Sequence, residues 1–346
     1  MKLIIAVLAT VLTASNAHAQ FGGILKRAEQ VRDQAKSLTI SEEDEQQIGA
    51  AVSDLVRQRY GVVQDPAVHK YVTLVGTVLA QLSTRKSLPW KFIVLDTDGV
   101  NAFAAPGGYI HITRGALALA RNEAELAGVL AHEIIHVTEK HTISAIEKQK
   151  LVQRGSAEAL KGNKALLNAY VDKTFELVYA GFGRAEELEA DSKGVVPANQ
   201  AGYAPAGLGG FLTRLEERNK STTERQGLFA SHPEMKERLS RLAKAIADGK
   251  LASTATLTER YGANIAYDLK EPQQLVAETK KGGFNLNSLV KPGGGAERKS
   301  PEVTASGGSR GVDTERLAKG GGNPALVGVT LSAADIAAFK KEGGLR

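Results

Sequence analysis

Residues 122–137 read NEAELAGVLAHEIIHV, and the order of polar and apolar residues in that stretch decides how the rest of the chain is read. Leu126, Val129, Leu130 and Ile134 fall at the spacing of a core-facing stripe on an α-helix. Asn122 with Glu125 three residues on has the pattern of a capping box, so the helix is expected to start there and run to about Lys150. His132 and His136 lie within it. Residues four apart on a helix sit about 40° from one another around the axis, so both imidazoles project to one side. Two neutral imidazoles at that spacing fit adjacent corners of a zinc tetrahedron. Glu133, on the flank of the same face, is placed to take a proton from metal-bound water as a general base. A surface helix with an i, i+4 histidine pair would carry the same letters. The cap, the apolar stripe and the β-prone region just before it argue for the catalytic reading.

A catalytic zinc needs a third protein ligand. One solution places a histidine six residues after the second ligand, but Thr142 stands there. His141 would lie about 140° around a continuous helix from His136. It therefore reads as a structural or surface histidine. The other solution is a carboxylate on a second helix, and Glu186-Glu187-Leu188-Glu189-Ala190-Asp191 offers several. Glu187 and Asp191 are four apart and share a face, so one could bind metal while the other accepts a hydrogen bond from a ligand imidazole. Spacing alone leaves Glu186 and Glu189 open.

Upstream of the central helix, Lys91–Asp96, Val100–Ala104 and Tyr109–Thr113 are short β-prone runs separated by Asp98-Gly99 and Pro106-Gly107-Gly108. Those separators are turn chemistry, which predicts a small antiparallel sheet with a hairpin at Asp96–Gly99. A calcium loop at that place would need a glutamate where Gly107 stands. Further upstream, Ser41 with Asp44 caps a helix to about Tyr60, and Pro66–Leu82 forms another, with Val68, Val72, Val75 and Leu79 inward. Downstream, helix is expected through Val178. A break at Gly181 and Gly183 precedes a helix from Arg184, and a further pair brackets Ser231-His232-Pro233 and ends near Asp248.

The two ends differ from this body. Lys2, the apolar run Leu3–Leu12 and Ala17-His18-Ala19 form a secretory signal peptide pattern over 1–19. Ile24, Ala28, Val31, Ala35 and Leu38 then make an amphipathic helix of 20–40. Residues 272–346 are rich in Gly, Ser, Lys and Pro and read as a flexible tail with a short helix at its end, capped by Ser332. The body, 41–271, is left as one domain. The chain's 44 basic and 38 acidic residues give a net charge of +6 with no dense basic stripe, which argues against nucleic acid as a partner. No later run is long and apolar enough to span a membrane. With no cysteine in the chain, any metal site must be built from histidine and carboxylate.

These stretches together resemble a known family. HEIIH, then Arg184 and Glu187-Leu188-Glu189-Ala190-Asp191, is similar to the gluzincin peptidases of the CAAX prenyl endopeptidase, HtpX and BepA group, metallopeptidase family forty-eight. Asn101-Ala102-Phe103-Ala104 with Pro106-Gly107-Gly108-Tyr109-Ile110, Ser231-His232-Pro233 with Arg238, and the entry Ser41–Gly49 resemble that family in the same order. The resemblance implies a mostly helical α+β domain with one Zn²⁺ held by His132, His136 and Glu187. Glu133 would be the base, and Asp191 would support a ligand histidine. His232 would be a catalytic group or an inhibitory fourth ligand, with Arg238 its electrostatic neighbour. The strand over Gly108, Tyr109, Ile110 and His111 would be the edge on which a peptide substrate pairs.

The expected function is an exported, periplasmic or secreted zinc metalloendopeptidase acting on misfolded or surplus envelope proteins. The alternative is a chaperone-like quality-control factor whose proteolysis is self-inhibited. The tail or the N-terminal helix would be the place to bind an envelope partner. Unlike membrane-embedded members, the chain has no later spanning segment, which argues against prenylated substrates. A Gly-rich tail stands where BepA-like members carry a helical repeat domain.

Overall fold

A computed structural model describes residues 40–148, 164–220, 235–270 and 321–346. The expected signal peptide of 1–19, the expected helix of 20–40 apart from Ile40, and His232 therefore lie outside the described residues. Helix α1 (Glu42–Tyr60) begins where Ser41 Oγ accepts a hydrogen bond from the Asp44 amide. Helix α2 (Pro66–Ala80) begins at Asp65, whose carboxylate accepts from Ala67 and Val68, with Pro66 in the first turn where a missing N–H costs nothing. Three strands follow: β1 (Lys91–Leu95), β2 (Ala102–Ala105) and β3 (Tyr109–Thr113). A short helix α3 (Arg114–Leu119) leads into α4 (Glu123–Thr138), the helix of the histidine motif.

The sheet corrects the expected strand arrangement. Its order is β1-β3-β2, with β3 parallel to β1 and antiparallel to β2. The turn at Asp96–Gly99 thus reverses the chain without making a hairpin. The hairpin is β2–β3, closed by the single 3₁₀ turn Pro106–Gly108, where Gly107 (φ 74°) and Gly108 (φ 95°) take up left-handed backbone. Turn residues specify a reversal but not which strands then pair. Along the sheet, alternate residues go to opposite sides. Phe92, Val94, Ala102, Ala104, Ile110 and Ile112 join the core of α2 and α4, whereas Ile93, Leu95, Phe103 and Ala105 join the core under α1.

Beyond α4 come α5 (His141–Lys148), α6 (Lys164–Ala180), α7 (Arg184–Ala201), α8 (Gly207–Asn219), α9 (Met235–Asp248) and α10 (Thr258–Asn264). Helix α4 is buried on nearly every face, flanked by the sheet, α2, α7 and α8. Its contact with α7 is close. A Cβ on Gly194 would lie 3.2 Å from the His132 backbone nitrogen, so glycine there lets α7 lie directly over the histidines.

The C-terminal segment, of which residues 321–346 are described, packs on the body. Its short helix forms, as α11 (Ala333–Glu342), with Ser332 and Asp335 in a reciprocal capping box. Residues 321–346 are nevertheless part of the domain. Gly321 N donates to Asp96 O at 2.7 Å and Val62 N to Asn323 O at 2.7 Å. Phe339 of α11 is buried against Tyr71, under the Arg260 guanidinium, and Arg346 N donates to Ala201 O. Low complexity in the preceding stretch hides a terminal segment with enough apolar surface to dock. Lys270 pairs with Asp98 at 2.7 Å, close in sequence to the Asp96 carbonyl that accepts from Gly321.

Candidate metal centre

Helix geometry alone brings His132 and His136 to one face of α4, and α7 supplies the rest of the site. Glu187, Asp191, Gly194, Ala198 and Ala201 of α7 are all buried, a stripe at steps of four and three facing α4. His132 Nε2 and His136 Nε2 lie 3.0 Å apart, and each is 3.4 Å from a Glu187 carboxylate oxygen. The three donor atoms fall within 4.8 Å of one another, and all three residues are buried. Two imidazoles and a carboxylate converging on one point fit a divalent metal, and no thiolate is available to favour a softer one. Among the described residues no other group of His, Asp and Glu is arranged this way.

Behind the donors lies a buried ionic layer. Asp191 Oδ1 is 3.0 Å from His132 Nδ1. Arg238 of α9 grips the Asp191 carboxylate through Nε and a terminal nitrogen, both at 2.7 Å, and comes within 3.4 Å of Glu187. Burial alone would raise the Asp191 carboxyl, but the Arg238 guanidinium and His132 outweigh it and hold Asp191 below the usual range. Glu187 shows the same contest: burial raises it, and His132 and Arg238 hold it well below the ordinary value. Burial pushes His132 down, but the Glu187 charge and the Asp191 hydrogen bond carry it up to about 10. His136 is pushed down to about 3, chiefly by burial. Burial also pushes the Glu133 carboxyl up to about 7, partly offset by His132 and Arg238. A pocket that collects carboxylates around two imidazoles favours a cation, whose binding displaces protons from the ligands.

The model of Peptidase family M48 matches residues 66–246, just over half of the chain, and spans both helices that carry the donors. The chain belongs to peptidase family M48. It is 27% identical over 212 residues to the putative beta-barrel assembly-enhancing protease of Vibrio cholerae serotype O1, 58% of this chain and 44% of that protein. Against the beta-barrel assembly-enhancing protease of Escherichia coli strain K12 it is 26% identical over 216 residues, again 58% and 44%. Against the metalloprotease YcaL of the same strain it is 28% identical over 166 residues, 47% of this chain and 64% of that one. The matched part of the chain thus spans less than half the length of these two assembly-enhancing proteases.

Within this M48 domain the sequence-derived candidates divide. His132, His136, Glu187, Asp191 and Arg238 come together, and Glu133 shares their electrostatic environment. Arg238 sits behind Asp191 and Glu187, ion-paired to both. The β3 candidates are placed elsewhere. Strand β3 is the middle strand, so it cannot be the edge that receives a peptide. Gly108 belongs to the 3₁₀ turn, the Tyr109 ring lies under Lys91, and Ile110 is core. His111 is fully buried on the α1 side, with its Nε2 2.9 Å from Ser53 Oγ, and burial pushes it down to about 3. Of the two edges, that of β1 is partly covered by Val62 bridging to Leu95, whereas no described strand pairs with the outer side of β2.

Two residues at the site are not legible from spacing. His141 Nδ1 lies 2.8 Å from His136 Nδ1, and the Phe182 ring stacks on His136 with centroids 3.9 Å apart and planes 13° from parallel. The expected continuous helix to about Lys150 ends instead at Thr138, and Lys140 takes a positive φ of 54°. That kink starts α5 in a new direction and swings His141 back onto His136, so the 140° offset of a continuous helix does not apply. The two glycines around Phe182 are the available signal: a break sharp enough to fold a ring inward.

Proposed function

We propose that this protein is an exported zinc metalloendopeptidase that hydrolyses peptide bonds in envelope polypeptides. The observation that carries the reading is the convergence of His132 Nε2, His136 Nε2 and the Glu187 carboxylate, with Glu133 next to a ligand on the same helix. This donor set suits zinc, and a zinc ion held there supplies Lewis-acid activation of water and of a substrate carbonyl. Glu133 takes the proton from the attacking water and returns it to the leaving amine. Its burial matches the first task, since desolvation makes a carboxylate a stronger base than an exposed one. Asp191 holds His132 with its Nε2 towards His136 and Glu187, where it would bind the metal, and Arg238 holds Asp191. A polypeptide that adds to the sheet by backbone pairing does so at the outer side of β2, which packs against α4.

Export rests on the Lys2, Leu3–Leu12 and Ala17-His18-Ala19 pattern. Among the described residues no helix is long and apolar enough to cross a membrane. The periplasm and misfolded or surplus envelope proteins as substrates follow from that pattern together with the named assembly-enhancing proteases among the relatives. The test is cleavage of an unfolded model protein by the mature chain loaded with zinc, with Glu133→Gln alongside. Cleavage by the first and not the second supports the reading. Cleavage that persists in Glu133→Gln, or after metal is removed, overturns it.

A further inference from the structure

We infer that His141, backed by Glu189, is a positioning residue that fixes the proton of His136 on Nδ1 and so keeps its Nε2 free to bind metal. The inference rests on the metal-centre reading above and extends it to a residue that supplies no donor atom.

The two ligand histidines are supported unequally. His132 turns its Nδ1 to the carboxylate of Asp191, an acceptor fixed by Arg238. The Nδ1 of His136 meets another imidazole, the Nδ1 of His141 at 2.8 Å. A contact between two imidazole nitrogens at that distance needs one donor and one acceptor. As a metal ligand, His136 must present a bare Nε2, so its proton lies on Nδ1 and His141 Nδ1 is the acceptor. The His141 proton then lies on Nε2, which faces Glu189 Oε2 at 3.3 Å. The chain Glu189–His141–His136 thereby has one consistent set of tautomers, which leaves His136 Nε2 without a proton. The opposite polarity would put a proton on His136 Nε2, toward the other donors.

The surroundings hold this arrangement in place. His141 is buried, and the positive φ of Lys140 aims it. Phe182 stacks flat on His136 and meets His141 edge-on at 5.9 Å, so the plane of the ligand ring is fixed along with its tautomer. Glu189 is held from its other side by Lys193, which bridges it to Glu139 at 2.7 and 2.8 Å. Outer partners of metal ligands typically change metal affinity about 10–100-fold when removed.

The experiment titrates metal-free protein with zinc against a chromophoric chelator and records the visible spectrum of the cobalt form. His141→Ala is expected to weaken zinc binding by about 10–100-fold and to alter the cobalt spectrum. His141→Asn, whose amide oxygen can accept where Nδ1 did, is expected to restore most of both. Long-range ¹H–¹⁵N correlation on the zinc-loaded wild type should show His136 protonated at Nδ1 and His141 at Nε2. This also decides the matter should His141→Ala not fold. Wild-type affinity and spectrum in His141→Ala, or a proton on His141 Nδ1, would overturn the inference. A wild type that binds no zinc would instead overturn the metal-centre reading itself.

Discussion

Arg238 and Asp191 form a bidentate ion pair, with two 2.7 Å hydrogen bonds, entirely inside the protein and directly behind His132. The pair joins α9 to α7, and α7 carries Glu187 as well. Removing the guanidinium leaves buried carboxylates without their countercharge. Arg238→Met is therefore expected to destabilise the metal-free protein by about 3–5 kcal/mol near neutral pH, read by denaturant unfolding.

That cost should depend on pH with a defined sign. In the folded protein the pKa of Asp191 is depressed below the ordinary aspartate value. Its contribution is therefore fully present above that ordinary value and is lost as pH falls through the folded pKa. The stability gap between wild type and Arg238→Met should thus be widest from about pH 5 upward and shrink below about pH 4. A gap that stayed constant from neutral pH down to acid would show that the pair acts by packing rather than by charge.

Glu133 stands apart from the ligands in what its loss should do. Glu133→Gln keeps the shape of the side chain and the three donors, so zinc affinity should remain within a few-fold of wild type. The turnover of an unfolded protein should fall by about 10²–10⁴-fold, the usual share of a positioned general base. Equal losses of zinc binding and turnover would make Glu133 structural. Conversely, Glu187→Gln should lose metal first and activity as a consequence, so that raising the zinc concentration recovers part of its rate.

Much of this site is legible in the sequence, because helical spacing is a local rule. His132 and His136 four apart, and Glu187 and Asp191 four apart, each fix a face without reference to the rest of the chain. A local rule misleads where it is carried past its range. The offset of His141 assumes a helix that in fact ends at Thr138, and only the left-handed backbone at Lys140 reveals the turn back. The β-prone runs are visible, but strand order depends on which face of each run meets which helix. The insertion of β3 between β1 and β2 is therefore beyond turn chemistry. The terminal helix is legible from its Ser332 cap and the shared face of Ile336 and Phe339, but where that face docks depends on a distant partner, Tyr71.

Metal itself should act as a folding ligand. The donors lie on α4 and α7, two helices far apart in sequence, and a ligand that binds only the native arrangement stabilises it by mass action. Zinc at about 100 times its dissociation constant should add about 2.7 kcal/mol, seen as a rise in Tm that a chelator reverses. His136→Ala should abolish the zinc-dependent part of that rise. A chelator-insensitive Tm across a wide zinc range would argue that the cluster does not take up the ion.

The docking of the C-terminal segment makes a stability claim about residues remote from the candidate metal centre. Phe339 is 6% exposed, in contact with Tyr71 and beneath Arg260, whose guanidinium also binds the buried Glu123 at the start of α4. The same Glu123 accepts hydrogen bonds from Tyr71 and Tyr203 at 2.7 Å, so α11 closes over a network that anchors the first turn of the histidine-bearing helix. Phe339→Ala should cost about 3–5 kcal/mol, and deletion of 321–346 at least as much, measured by denaturant unfolding. Zinc affinity of whatever protein remains folded should change little, because no donor lies in that segment. Loss of zinc binding in well-folded Phe339→Ala protein would show instead that α11 controls the geometry of α4 down to its last turns.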